Sequence, residues 1–259
     1  MKTVEIEREG HVATVMLNRP DVRNAFDETM IAEITQVFHS LGSDPGVRMI
    51  VLAANGTAFC AGADLNRMQK MAGYTYEENR ADAMQLAEML HTIYICPKPV
   101  VARIQGDCYG GGIGLVAACD IAVAAETTNF CLSETRIGLI PAAISPYVIG
   151  AMGRNAARRY FLTAERFSAG EAYRIGLVHA VVRMSELNMT VKDIVRAVVA
   201  NSPHAVKEAK RLIRDVAEMP LTDALIADTA QRIADIRSSD EGREGLRAFL
   251  EKRKPGWAS

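Results

Sequence analysis

The run Gln105-Gly106-Asp107-Cys108-Tyr109-Gly110-Gly111-Gly112-Ile113-Gly114-Leu115 and the later segment Leu132-Ser133-Glu134-Thr135-Arg136-Ile137-Gly138-Leu139-Ile140-Pro141 hold the residue types best suited to chemistry. Consecutive glycines between the apolar Pro99 to Ile104 and the helix-like Leu115 to Cys119 let a backbone N–H point into space that a Cβ would otherwise fill. Such an N–H stabilises a developing oxyanion. The Glu134 carboxylate, at the start of a loop, supplies a proton carrier, so the pair suits chemistry beside a carbonyl. Taken alone, the glycines equally fit a tight strand-to-helix turn, and Glu134 a solvated loop carboxylate or a charge at a helix start. The flanking Phe130-Cys131-Leu132 and Ile137-Gly138-Leu139-Ile140 argue for an apolar enclosure, where desolvation raises a carboxyl pKa toward a useful value.

The elements that would hold these groups alternate in the first half of the chain. Val4 to Arg8 and His11 to Leu17 flank Glu9-Gly10 as a hairpin. Asp27 caps a helix whose apolar residues Met30, Ile31, Ile34, Val37, Phe38 and Leu41 recur at helical spacing up to Gly42. Met49 to Ala53, Val100 to Ile104 and Asp120 to Ala124 read as buried strands and Glu77 to Tyr94 as a helix, which implies crossovers and a mostly parallel sheet. Beyond residue 143 helices follow one another: 144–152, 154–162, 169–175, 185–200, 203–219, 221–236 and 241–252. An α/β core over 1–195, followed by a helical carboxy-terminal region over 196–259, is therefore expected.

Composition narrows the function classes. A chain of 259 residues, 49% hydrophobic and 24% charged, buries a substantial core as one domain or as a domain with an appendage. Its net charge of -1 provides no global basic field for nucleic acid or an anionic membrane. Cys60, Cys96, Cys108, Cys119 and Cys131 are odd in number and lack C-x-x-C spacing, so reduced thiols, no disulfide framework and no zinc site are expected. No window approaches the roughly 18 apolar residues of a membrane span. The charged, alternating start is a strand pattern, and a cytoplasmic location is expected. No G-x-S-x-G is present, the histidines lie away from the glycine run, and no G-x-G-x-x-G follows the first strand, which argues against a serine hydrolase or a dinucleotide fold.

Asn18-Arg19-Pro20 with Asn24-Ala25, Ala58 to Leu65, the glycine run, Cys119-Asp120-Ile121, Gly138 to Pro141 and the tail Ala248 to Lys254 together resemble the crotonase (enoyl-CoA hydratase/isomerase) superfamily over nearly the whole chain. The resemblance implies a crotonase-like spiral of ββα units, with the carboxy-terminal helices serving trimerisation and covering of CoA. It also implies an acyl-CoA thioester as substrate, no cofactor apart from the coenzyme A of that substrate, and a homotrimer or dimer of trimers. By position it implies an oxyanion hole from the N–H groups of Ala63 and Gly111, Glu134 as the proton carrier, and CoA contacts at Asp64, Leu65 and Asn66. Phe249 and Lys252 would close over CoA, often across a subunit contact. Read without the family, Asp64 fits a helix cap, Phe249 core packing and Lys252 a solvated helix end. Arg136 fits either a substrate carboxylate or a surface acid.

One departure from the family pattern is Gly114, which stands where typical enoyl-CoA hydratases carry a second glutamate. A lone Glu134 can serve both proton transfers in turn, because it leaves the first carrying the proton that the second needs. Gly114 is also expected to leave room in the acyl pocket for a branched chain. The segments 130–148 and 157–166 are similar to the branch of 3-methylglutaconyl-CoA hydratases and related carboxygeranoyl-type hydratases of leucine or acyclic terpene breakdown. The expected activity is syn addition of water across the Cα=Cβ bond of 3-methylglutaconyl-CoA or a related substituted glutaconyl-CoA. A 3-enoyl to 2-enoyl-CoA isomerase is the first alternative, with a glutaconyl-thioester decarboxylase behind it. An inactive RNA-binding or scaffolding member is the alternative of another class, disfavoured by the near-neutral charge and the retained Glu134.

Overall fold

In the computed structural model, which describes residues 1–258, the chain opens with the expected hairpin; Ser259, the end of the region drawn at 196–259, lies outside the described residues. β1 (Val4–Glu9) pairs antiparallel with β2 (Val12–Leu17) and keeps its charged residues in solvent as an edge strand. α1 (Glu28–Ser43) starts at Asp27, whose carboxylate accepts the Met30 N–H at 2.8 Å, and buries the anticipated stripe from Met30 to Leu41. There follow β3 (Met49–Ala54), α2 (Leu65–Met71), α3 (Tyr76–Ile95), β4 (Val100–Ile104), β5 (Cys108–Tyr109), α4 (Gly111–Ala118), β6 (Ile121–Ala125) and β7 (Asn129–Cys131). The remainder is α5 (Ser145–Thr163), β8 (Phe167–Ser168), α6 (Ala169–Arg174), β9 (Ala180–Val182), α7 (Met184–Val199), α8 (Pro203–Val216), α9 (Asp223–Ser238) and α10 (Asp240–Leu250).

The large sheet has the order β1-β2-β3-β4-β6-β9 and is parallel apart from the opening hairpin. A smaller sheet, β5-β7-β8, is extended by the bridges Cys60↔Cys108 and Phe26↔Ala63. The chain thus repeats a strand in the large sheet, an extended segment beside the small one, and a helix, in the spiral order that was expected. Both faces of the large sheet are covered, so its central strands β3 and β4 are apolar apart from Arg103. Ile50, Leu52, Ala102 and Ile104 pack in the main core with the buried faces of α1, α3 and α4. Val51, Val101 and Val123 pack instead with Leu187 and Val191 of α7.

Several elements differ from the sequence expectation. β5, β7, β8 and β9 have two or three residues each, too few to show alternation. α4 begins inside the glycine run, at Gly111, ahead of the helix-like segment from Leu115. The two helices expected over 144–152 and 154–162, by contrast, are present as α5, which breaks between them at Gly153, at φ 75°. Among the described residues no helix is long and apolar enough to cross a membrane.

Ion pairs fix the segments around the small sheet. Arg67 of α2 makes a two-pronged contact with Asp82 of α3, at 3.1 and 2.7 Å, with side chains only 3% and 9% exposed. Lys210 of α8 reaches Asp120 and the Lys98 carbonyl, which ties the terminal helices to the sheet. Asp82→Ala leaves the Arg67 guanidinium buried without its carboxylate, so the expected loss is about 3–5 kcal/mol in urea unfolding. Replacing both partners with apolar residues should recover most of that loss; equal stability of Asp82→Ala and the parent would show that α2 is anchored by other contacts.

Candidate active site

Three segments meet around Gly110. Its backbone (φ 50°, ψ -124°) is one that a side chain rarely tolerates, and a Cβ there would stand 3.1 Å from Glu134 Oε1 and 3.9 Å from Gly62 Cα. Gly62 lies at φ 90°, with the Tyr109 carbonyl 3.2 Å from its own Cβ position. The two glycines therefore let the 60–64 loop and the start of α4 approach each other beside the Glu134 carboxylate.

Both expected oxyanion donors are unengaged. The Phe26 N–H donates to Gly62 O at 2.8 Å and the Asp64 N–H to Phe26 O at 3.0 Å, so Ala63 turns its own N–H away from Phe26. The Gly110 N–H donates to Cys131 O and the Ile113 N–H to Gly110 O, each at 2.9 Å, while Gly111 opens the first turn of α4. Among the described residues neither the Ala63 nor the Gly111 N–H has a protein acceptor. At Gly111 the helix dipole adds partial positive charge. Glycine is required there, because a Cβ would lie 2.6 Å from Cε2 of the buried Phe26 ring.

Glu134 opens a 3₁₀ turn, Glu134–Ile137, closed by Gly138 at φ 77°. The Leu139 N–H donates to Glu134 O at 3.0 Å, and the Thr135 hydroxyl donates to Phe161 O of α5 at 3.1 Å. The Glu134 Oε2 atom is buried without a hydrogen-bond partner among the described residues. Desolvation raises its pKa above the ordinary carboxylate value, so the ionised form is a stronger base than a solvated glutamate. Two free N–H donors and a desolvated carboxylate are the components needed to hold a carbonyl oxygen while a proton moves next to it.

The remaining anticipated residues take different roles. Asp64 is 3% exposed, and its carboxylate is spent on the Asn66 N–H (2.8 Å) and Arg19 Nη2 (2.9 Å). It caps α2 and joins Arg19, which also pairs with Asp27 at 3.3 Å, so its carboxylate oxygens are engaged within the protein, as the helix-cap reading expected. Leu65, 78% exposed, and Asn66 lie open on α2. Gly114 does not widen a pocket: a Cβ there would stand 2.3 Å from Ile144 Cγ2 and 3.5 Å from Leu90 Cδ1, so buried Ile144 fills the space. Phe249 is 80% exposed rather than packed in the core. Lys252 lies exposed in the turn just past α10, at φ 54°. Arg136 is exposed and meets no surface acid among the described residues.

Sequence reasoning missed Phe26 beneath Gly111, Ile144 against Gly114 and the Arg19–Asp64 pair. The Asn-Arg-Pro motif marked Arg19 without its partner. Nothing in the sequence marked the two packing contacts, because each joins residues far apart in the chain.

The enoyl-CoA hydratase/isomerase family profile matches residues 7–259. A solved enoyl-CoA hydratase from Shewanella pealeana is 43% identical, with a TM-score of 0.96 over 98% of this chain and 96% of that one. The short-chain-enoyl-CoA hydratase of Clostridium acetobutylicum is 31% identical over 98% of this chain and 97% of its own length. The mevalonyl-coenzyme A hydratase sidH of Aspergillus fumigatus is 33% identical over 95% and 91%.

Burial of Glu134 has a consequence for stability. Below the ordinary carboxyl pKa both native and unfolded chains are protonated there and nothing is lost. As pH rises through that value toward the raised native one, the unfolded chain ionises first and the native state is progressively destabilised. Glu134→Gln should therefore resist urea better than the parent at pH 8, and the gain should disappear near pH 4. A variant less stable than the parent at pH 8 would mean that the carboxylate has a compensating partner.

Proposed function

Because the chain belongs to the enoyl-CoA hydratase/isomerase family, we propose that it hydrates a branched short-chain enoyl-CoA, 3-methylglutaconyl-CoA or a related substituted glutaconyl-CoA, with Glu134 as its sole proton carrier. The observation that carries this reading is the desolvated Glu134 carboxylate lodged against Gly110, beside two segments whose N–H groups are unengaged.

In this reading the thioester oxygen accepts from the Ala63 and Gly111 N–H groups. The Glu134 carboxylate removes a proton from water as the water oxygen bonds to Cβ, and the Cα=Cβ electrons pass to the thioester as an enolate. Two preorganised donors stabilise that charge, each worth about 2.7–4 kcal/mol by the measure of oxyanion holes generally. The enolate then collapses, and Glu134 returns its proton to Cα on the face from which water came, giving syn addition. No second carboxylate is needed, in keeping with Gly114 and the Ile144 side chain packed over it. Coenzyme A enters only as part of the substrate, and the five free thiols suit a reducing, cytoplasm-like setting.

Two observations support a branched, acidic acyl group. The Aspergillus relative is named for mevalonyl-coenzyme A, whose acyl chain carries a methyl at C3. Arg136 follows Glu134 in the same 3₁₀ turn without an acidic partner among the described residues, which suits the distal carboxylate of a glutaconyl group. The second reading, 3-enoyl to 2-enoyl-CoA isomerisation, draws on the same lone carboxylate, since one group can carry a proton from Cγ to Cα. The exposed Phe249, Leu250 and Ile213 of the terminal helices support a homotrimer or dimer of trimers, with Phe249 and Lys252 over the CoA of a neighbour.

Purified protein should hydrate 3-methylglutaconyl-CoA faster than crotonyl-CoA, and Glu134→Gln should lower kcat by about 10²–10⁴-fold. A preference for crotonyl-CoA removes the branched-substrate claim, and undiminished turnover in Glu134→Gln moves the proton carrier elsewhere. Arg136→Gln should raise KM for the glutaconyl substrate about tenfold while leaving that for crotonyl-CoA unchanged, by loss of one charge-assisted contact. Equal effects on both would assign Arg136 a structural role.

A further inference from the structure

Large apolar side chains recur after Glu134 in the segment that leads into α5, at Ile137, Leu139, Ile140 and Ile144. The first three are exposed, whereas Ile144 is only 2% exposed. The Ser145 N–H donates to Ala142 O at 3.1 Å and the Val148 N–H to Ile144 O at 3.0 Å, which places Ile144 at the cap of α5. From there its side chain enters between α4 and α3. A Cβ on Gly114 would overlap Ile144 Cγ2 and stand 3.5 Å from Leu90 Cδ1.

The neighbours of Ile144 leave it little room to retreat. Leu90 is fully buried, and one turn beyond it on α3 the Tyr94 ring meets that of Tyr147 on α5 edge to face, with centroids 5.3 Å apart. Isoleucine is also stiff at χ1, so the methyl over Gly114 holds one place. Gly114 lies three residues along α4 from Gly111, about 4.5 Å of helix rise. Gly110, just ahead of Gly111, is the residue against which the Glu134 carboxylate rests. The Ile144 wall therefore stands about one helical turn from an unengaged N–H and from the proton carrier.

We infer that Ile144 sets the size limit on the acyl group: braced by Leu90, it forms a fixed apolar stop that admits a methyl branch at C3 and turns away a longer one. Gly114 is its counterpart, because only a residue without a side chain lets Ile144 reach this far across α4. The inference deepens the proposed hydratase reading and rests on it for the placing of the thioester oxygen at Ala63 and Gly111. One methylene against such a wall is worth about 10–200-fold in discrimination, since a closely packed surface yields only by breaking its other contacts.

Affinity for two saturated thioesters, measured by calorimetry on the full-length protein, reads this wall without any addition of water. 3-Methylpentanoyl-CoA and 3-ethylpentanoyl-CoA differ by one methylene in the C3 branch. The parent should favour the methyl compound by about tenfold or more, and Ile144→Ala should bring the two affinities together. Ile144→Leu should do the same, because leucine keeps the volume and lacks the methyl that lies over Gly114; it carries the test if the alanine variant does not fold. Adding Gly114→Ala to Ile144→Ala should bring the preference back by refilling the space from α4. A parent indifferent to the branch, a preference unchanged in the folded variants, or an equal loss of affinity for both compounds would overturn the size limit and leave Ile144 a packing residue. A parent that discriminates in binding yet leaves 3-methylglutaconyl-CoA unhydrated would overturn the hydratase reading alone.

Discussion

Two peptide planes can approach a carboxylate this closely only where no β-carbon stands between them. Gly110 supplies that absence for Glu134 Oε1 and for the Gly62 backbone at once, in a conformation few other residues could hold. From this one close approach follow the remaining features of the centre. The 60–64 loop presents the Ala63 N–H, the first turn of α4 presents that of Gly111, and the carboxylate between β7 and α5 is shielded from water. Electrostatic stabilisation is strong only when the dipoles are already aimed before charge develops, and here the backbone aims them.

A loop held by glycine needs rigidity from elsewhere. The Phe26 main chain pairs with residues on both sides of Ala63, and its ring lies under Gly111, so one residue braces both donors. Arg19, Asp27 and Asp64 join the chain entering this region to the cap of α2, and the Arg67–Asp82 pair joins α2 to α3. These buried pairs are costly to form and costlier to break singly, which suits them to holding a geometry more than to adding stability. Ile144 shows the same economy of space: it turns a position that looks like an opening into part of the wall.

The carboxylate gains its chemistry from what it lacks. With no donor on Oε2 and its carboxylate desolvated by burial, Glu134 is raised in pKa and reactive as a base, at the expense of native stability at neutral pH, although Ile137, Leu139 and Ile140, expected to enclose it, are exposed. That incomplete set of hydrogen bonds points to a bound molecule.

Local pattern in the amino-acid sequence determined the hairpin, the Asp27-capped α1 and the parallel strands over Met49 to Ala54, Val100 to Ile104 and Ile121 to Ala125, because period and capping are properties of neighbouring residues. It also marked the glycine run and Glu134 as a pair suited to chemistry beside a carbonyl, while Ala63 and Gly111 were singled out only by the resemblance to the crotonase superfamily. Tertiary structure alone decided that Asp64 is a cap bound to Arg19, that Ile144 fills the place beside Gly114 and that Phe249 faces solvent in the single chain. It alone assembled the two- and three-residue strands of the small sheet. Each of these depends on which distant segment arrives at a given surface, and that is set by the packing of the spiral as a whole, not by any stretch of the chain read by itself.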